Sequence, residues 1–328
     1  MAHIAFPQWA KTITTVSTNT YSYVYIAPKT TTYSTLLFLH GFPSSCYDWR
    51  HQIKYYSIHG YGILAPDLLG YGGTDKPDSL HHYRAKTMCD SLIEIMDHEH
   101  IDRVHAVGHD MGCGLLSRLA NYFPHRLLSC TFLTVPYAKP GEKFDLQAVN
   151  AMTSQFFGFE RFGYIEFFVR EGSGKIIDEH IDSFFSLFYP HDAEVWSRNL
   201  APIGAIESWL RADTKAPLPS FITTEEKETH CQILHGYYDK AVNWYRALAN
   251  NINIEDELNE NLDPMLHMPV LVITEQPSAI SIPGFAEQMK QFADDVRFKQ
   301  VKTNGHWVQL EARDEVNSMI QEFIHEVC

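Results

Sequence analysis

The sequence predicts an α/β fold: a mostly parallel sheet flanked by helices, with a helical segment inserted into it. Three observations carry this. Short apolar runs near 35–39, 62–67, 104–107 and 127–133 alternate with stretches of helical spacing, the pattern of strand–helix–strand units with right-handed crossovers. The run Val104–Val107 passes through Gly108-His109-Asp110-Met111-Gly112 into Leu115, Leu116, Leu119 and Ala120 at helical spacing, so a strand, a sharp turn and a helix follow one another. From Pro136 to about Pro264 the strand pattern gives way to an aromatic, helical one, and strands resume at Pro269–Thr274.

Taken in order, residues Thr12–Ala27 alternate polar and apolar and read as a β-hairpin opening the sheet. Thr35–Leu39 is a buried strand that runs into the loop His40-Gly41-Phe42-Pro43, and Gly62–Asp67 is a strand followed by the turn-rich Leu69–Pro77. A helix from about Ala85 to Asp97 precedes the central strand, and Leu127–Leu133 is a further strand. In the aromatic segment, Thr223-x-x-Glu226 has the spacing of a capping box. The last strand is Val296–Val301, ending at Asn304-Gly305-His306-Trp307 before a closing helix. The expected organisation is a sheet domain over 1–136, a helical cap over 137–264 and the rest of the sheet domain over 265–328. An aromatic insertion of this kind roofs an apolar pocket, although most of its rings pack the cap's own core.

A strand, a Gly-x-X-x-Gly turn and a helix make a nucleophile elbow, which pushes the central side chain above the sheet edge at a helix N-terminus. Here that residue is Asp110. A carboxylate nucleophile suits displacement at saturated carbon, because it forms an ester that water then cleaves. It suits ester or peptide hydrolysis poorly, since attack there would give an anhydride. In this architecture the N–H after His-Gly, that of Phe42, joins the N–H after the nucleophile, that of Met111, in an oxyanion hole. His306 follows the last strand, where active-site loops gather, and is placed to activate water against the ester.

The formal net charge of -14 argues against nucleic acid and against an anionic membrane surface. No apolar run approaches a membrane span and no secretory signal is visible. Six cysteines without paired spacing read as reduced thiols, not a metal site or a disulfide framework, so a cytoplasmic location is expected.

The stretches HGFPSSCYDWRHQI from His40, DLLGYGGTDKP from Asp67, GHDMGCG from Gly108, NWYR from Asn243 and GHWVQLEARDEVN from Gly305 resemble the soluble epoxide hydrolase family of the α/β-hydrolase superfamily, in its Asp-nucleophile branch. The resemblance runs from roughly residue 20 to the last helix. It implies an α/β-hydrolase fold with a helical cap, a small apolar epoxide as substrate and no metal or organic cofactor, and it leaves an oligomer open. It implies that two cap tyrosines donate to the epoxide oxygen. Tyr245, in Asn243-Trp244-Tyr245-Arg246, matches one, and Tyr164, in Phe162-Gly163-Tyr164, the other. It also implies that His40, Pro43, Trp49, His109 and Trp307, which lie inside these stretches, line the substrate site. Two positions depart from the family pattern. Met111 stands where Trp is usual, which softens and reshapes the pocket floor. Ser278 stands where an Asp normally orients the catalytic His, which leaves Glu275 as the nearest acid. The alternatives are a haloalkane or haloacid dehalogenase, an epoxide-opening cyclase, and a non-catalytic ligand-binding relative. The first needs halide donors, such as Trp after the nucleophile or Asn after His-Gly, that Met111 and Phe42 do not supply.

Overall fold

A computed structural model describes residues 1–277, 284, 286–303 and 305–327. Eight strands form one sheet: β1 (Ala10–Thr14), β2 (Thr20–Ile26), β3 (Thr35–Leu39), β4 (Gly62–Pro66), β5 (Val104–His109), β6 (Leu127–Leu133), β7 (Val270–Thr274) and β8 (Val296–Gln300). Their spatial order is β1-β2-β4-β3-β5-β6-β7-β8. β1 and β2 form the expected antiparallel hairpin, β2 pairs antiparallel with β4, and every later pairing is parallel. The strands lie within a residue or two of where the apolar runs put them.

Parallel strands covered by helices on both faces are buried on both sides, and the sequence of β3 and β5 reflects that. Successive β3 residues feed different cores. Leu37 and Leu39 join the core that contains Phe42, Leu115 and the cap aromatics, while Leu36 and Phe38 join the one that contains Trp49, Ile53, Tyr56 and Phe323. β5 lies between β3 and β6 and all six of its residues are buried. The helix Met111–Tyr122 leaves directly from its end.

Between β6 and β7 the described residues form helices and loops only, from Leu146–Phe157 to Ile254–Asn259. The capping box is present: Glu226 N–H donates to Thr223 Oγ1, and Thr223 N–H donates to Glu226 Oε2. This helical layer is tied to the sheet's loops and to the helix Met111–Tyr122 by polar contacts. The Trp244 indole donates to Leu69 O at 2.7 Å, the Tyr71 hydroxyl to Ala241 O at 3.2 Å, and buried Arg118 pairs with buried Glu257 at 3.2 Å. Among the described residues no helix is long and apolar enough to cross a membrane.

Candidate active site

Asp110 sits at the end of β5 with φ 52° and ψ -126°, a backbone conformation that L-residues with a Cβ seldom adopt. The neighbours that hold it there leave no room for side chains of their own. A Cβ on Gly112 would lie 2.2 Å from Leu39 O, so only glycine lets the helix start so close to β3. A Cβ on Gly41 would lie 2.4 Å from Asp110 Oδ1. The turn therefore projects a carboxylate over the Gly41 backbone, where Phe42 N–H donates to Asp110 Oδ1 at 2.9 Å. His306 Nε2 stands 3.4 Å from the other oxygen, Oδ2. Burial works against the Asp110 charge, but the His306 ring, foremost, and the Phe42 N–H outweigh it and hold the carboxyl below its usual range.

Tyr164 and Tyr245 reach the same space from the helices Gly163–Val169 and Asn243–Ala249. Their ring centroids are 6.1 Å apart at 88°, and Tyr245 also meets the Phe42 ring edge-on at 5.2 Å. Burial first, and then the Asp110 charge, raise both phenols above their ordinary pKa, so both keep their protons at neutral pH. Trp196 adds a further wall, its ring 5.6 Å from that of His306. Half-buried Met111, the residue after Asp110, lines a cavity of about 290 Å³ together with Met88, Leu115, Trp244 and Leu248.

The His306 loop is fixed from two sides. Gln309 Nε2 lies 3.2 Å from His109 Nδ1, and His109 Nε2 lies 2.9 Å from His306 O. With the amide donating to Nδ1, the Nε2–H donates to the carbonyl. This assignment needs a neutral imidazole, and burial pushes the His109 pKa down to about 3. On the other side Glu311, which sequence reasoning did not single out, accepts from Trp307 N–H at 3.0 Å and from Thr303 Oγ1 at 2.6 Å. Burial raises its pKa, while those two donors and the nearby His306 lower it in part. Its signal was available: an acid five residues after the His, in the first turn of the following helix.

The five residues expected to line the substrate site are all engaged in packing or hydrogen bonds within the fold. Trp49 is fully buried with its ring centroid 5.0 Å from Phe38, in the core that excludes Phe42 and the cap rings. His40 uses both ring nitrogens inside the scaffold: Nε2 accepts from Leu68 N–H at 2.9 Å, and Nδ1 donates to Gly41 O at 2.9 Å. His109 is likewise consumed by the His306 loop. Trp307 is fully buried, its indole donating to Phe188 O at 2.6 Å, and the Pro43 carbonyl accepts from Tyr189 at 2.8 Å. Glu275 is buried just past β7, where the next residue's N–H donates to Thr303 O at 2.7 Å. Ser278, the position aligned with the usual orienting Asp, lies outside the described residues.

Residues 34–313 match the sequence family described as alpha/beta hydrolase fold. The chain belongs to that family. Its strand order and nucleophile elbow are those of an α/β-hydrolase fold. Among proteins of known annotation, it is 27% identical over 311 residues to epoxide hydrolase A of Mycobacterium tuberculosis, covering 88% of this chain and 89% of that one. It is 24% identical over 288 residues to bifunctional epoxide hydrolase 2 of Mus musculus, covering 87% of this chain and 50% of the mouse protein. The chain spans about half the length of that relative and of its rat and pig counterparts. Among solved structures, an epoxide hydrolase from an endophytic Streptomyces superposes with a TM-score of 0.80 at 24% identity, covering 97% of this chain and 96% of that one. Epoxide hydrolase A from Mycobacterium thermoresistibile superposes with a TM-score of 0.79 at 22% identity, covering 96% and 98%. At these identities the superpositions speak for the fold.

Proposed function

We propose that this chain is an epoxide hydrolase that opens a small apolar epoxide to a diol through an ester on Asp110. The observation that carries the reading is the Asp110 carboxylate itself: one oxygen held by the Phe42 N–H, the other 3.4 Å from His306, with two protonated tyrosines facing it. The names of the relatives support the same reaction.

The two carboxylate oxygens have different roles. Oδ1 is already bound by a backbone donor, so Oδ2 is the atom free to attack an epoxide carbon as the ring C–O bond breaks. Tyr164 and Tyr245 donate to the ring oxygen, and one of them passes it a proton; neutral phenols in an apolar cap are suited to this because burial keeps the proton on until an alkoxide forms. Oδ1 becomes the carbonyl oxygen of the ester. His306 then takes a proton from water as the water oxygen adds to the ester carbon, and the negative charge builds on Oδ1. The N–H groups of Phe42 and Met111 stabilise that charge. Collapse breaks the Cγ–Oδ2 bond and expels the diol, whose Oδ2-derived alkoxide takes the proton back from His306. The second water proton, left on the new carboxyl group, returns to the tyrosinate, which restores the Asp110 carboxylate and the phenol.

Within this reading residues 137–264 act as the cap, and the cavity behind Met111 accepts part of an apolar substituent. Glu275 and Glu311 are the two acids that can support the His306 imidazolium. No step calls for a metal or an organic cofactor. The described cysteines are free and four of the five are buried, which suits the reducing cytoplasm.

The test is diol formation from a small panel of aryl and alkyl epoxides, with intact-protein mass measured for His306→Ala. The reading expects diol from at least one epoxide and an adduct of one substrate mass on the variant. A halide released from a haloalkane, or a cyclic ether as the sole product, would transfer the same residues to a dehalogenase or a cyclase. Binding without turnover across the panel would reject enzymatic function.

A further inference from the structure

Tyr189 closes the helix Ile181–Phe188 in the cap, but its hydroxyl points into the sheet domain. The ring is 1% exposed and stacks on Trp307, with centroids 4.3 Å apart at 19°. The hydroxyl oxygen lies 2.8 Å from Pro43 O and 2.8 Å from Asp48 Oδ2. Asp48 is itself 2% exposed, and its Oδ2 also accepts from Ser44 Oγ at 2.7 Å. Two nitrogens face the other oxygen, Oδ1. Arg50 Nη1 is 3.6 Å away, and its Nε is engaged with Glu226 at 2.7 Å. His230 Nδ1 is 3.9 Å away, on a ring whose pKa burial pushes down to about 3.

A buried carboxyl group with a tyrosine hydroxyl, a serine hydroxyl and a backbone carbonyl around it needs a function or an accounting. A tyrosine hydroxyl carries one proton, yet two acceptors stand at 2.8 Å. Both contacts are hydrogen bonds when Asp48 is neutral: its O–H donates to the Tyr189 oxygen, and Tyr189 donates to Pro43 O. Burial, the largest influence on Asp48, raises its pKa, while Arg50, the Ser44 and Tyr189 hydroxyls and His40 lower it in part.

The anchored carbonyl belongs to Pro43, the residue after Phe42, whose N–H holds Asp110 Oδ1. The stacked indole belongs to Trp307, the residue after His306. One cap residue thus touches the neighbour of the oxyanion donor and the neighbour of the base. We infer that Tyr189 and Asp48 form a positioning pair that locks the Phe42 N–H onto Asp110 from the cap side, so that the cap sets the geometry of the oxyanion hole as well as supplying the tyrosines. The inference rests on the reaction proposed above for its kinetic consequence, but not for its structural one.

The consequence is specific to one step. In ring opening the carboxylate gives up charge, so a displaced Phe42 donor costs little. In ester hydrolysis charge accumulates on Oδ1, so the same displacement is felt in full. Complete loss of an oxyanion donor costs about 10²–10³ in rate, and a misplaced one should cost about tenfold or somewhat more.

Tyr189→Phe keeps the stack on Trp307 and removes only the hydroxyl. Asp48→Ala removes the other half of the pair, and Asp48→Asn supplies a neutral donor in place of the acid. Rapid-quench mass spectrometry separates ester formation from ester hydrolysis, and hydrogen–deuterium exchange follows the 40–46 segment without any substrate. Tyr189→Phe and Asp48→Ala should slow hydrolysis about tenfold or more while ester formation stays within about threefold, and both should exchange faster at 40–46. Asp48→Asn should stay close to the parent in both measurements. Hydrolysis at the parent rate, parallel loss of both steps, or unchanged exchange at 40–46 in folded Tyr189→Phe and Asp48→Ala would overturn the inference. If the parent forms no ester with any epoxide but exchange at 40–46 still rises in both variants, the pair stands and the reaction reading falls.

Discussion

Replacing His306 with alanine should separate the two halves of the reaction, and the geometry sets how far. After ring opening the ester carbon occupies the place of the Asp110 carboxyl carbon, and Nε2, 3.4 Å from Oδ2 in the resting state, is one water away from it. The His306 backbone carbonyl is held by His109, so in the proposed reaction the ring serves as a positioned base rather than a diffusing one. Loss of a positioned general base costs about 10²–10⁴ in rate. At 1.36 kcal/mol per tenfold this is roughly 3–5 kcal/mol on the hydrolytic barrier alone. Ring opening keeps its nucleophile and its acids, so the ester should accumulate to nearly one per chain. A second consequence concerns pH. In the parent, His306 is foremost among the groups that hold Asp110 below the usual carboxylate range against burial. Without the ring, burial dominates and the carboxyl pKa moves up. The ionised form attacks, so ester formation in the variant should decline as pH falls through that higher pKa, while the parent is flat over the same interval. Single-turnover mass spectrometry between about pH 5 and pH 8 covers the ordinary carboxylate range and above. Parent-like hydrolysis, or an acid limb for ester formation that does not move, would refute the assignment of His306 as both base and electrostatic partner.

Asp110→Asn should give neither adduct nor diol, checked by intact mass after excluding deamidation, because an amide is a poor nucleophile at carbon. Tyr164→Phe and Tyr245→Phe should each slow ester formation rather than its hydrolysis, with little change in thermal midpoint, because only a hydroxyl is lost; a silent Tyr164→Phe in single-turnover assays would remove it from the proton-donor pair. Glu275→Gln and Glu311→Gln remove a charge without changing size. Whichever acid supports the imidazolium should slow ester hydrolysis when changed, and the other should affect only the melting temperature.

The elbow was legible because every feature of it is a steric demand written in residue types. A strand of Val and Ala, Gly112 against Leu39 O, Gly41 against the Asp110 side chain and a His after the last strand each leave a local mark. The roles of His40, Trp49 and His109 were not legible, because a motif tells which residues recur near a site but not which way each side chain points. Trp49 sits in the same stretch as Phe42, yet its ring joins the core of the other set of β3 side chains. His40 and His109 carry the right chemistry for substrate contact, and only the partners of their four ring nitrogens show that none is left over.

Glu311 and the Asp48–Tyr189 contact illustrate a second limit. Glu311 lies within a quoted stretch, five residues from His306, but its relation to Thr303 and Trp307 exists only once the loop doubles back onto the helix that follows. Tyr189 and Asp48 are 141 residues apart, and neither fits a catalytic pattern. What they share is the requirement that buried polar groups find partners. That requirement acts on the folded surface between cap and sheet, where Pro43, Asp48, Tyr189 and Trp307 meet. The strained turn that presents Asp110 can therefore be read from its own pentapeptide, whereas the groups proposed to aim its partners belong to a contact between two parts of the chain that no local window contains.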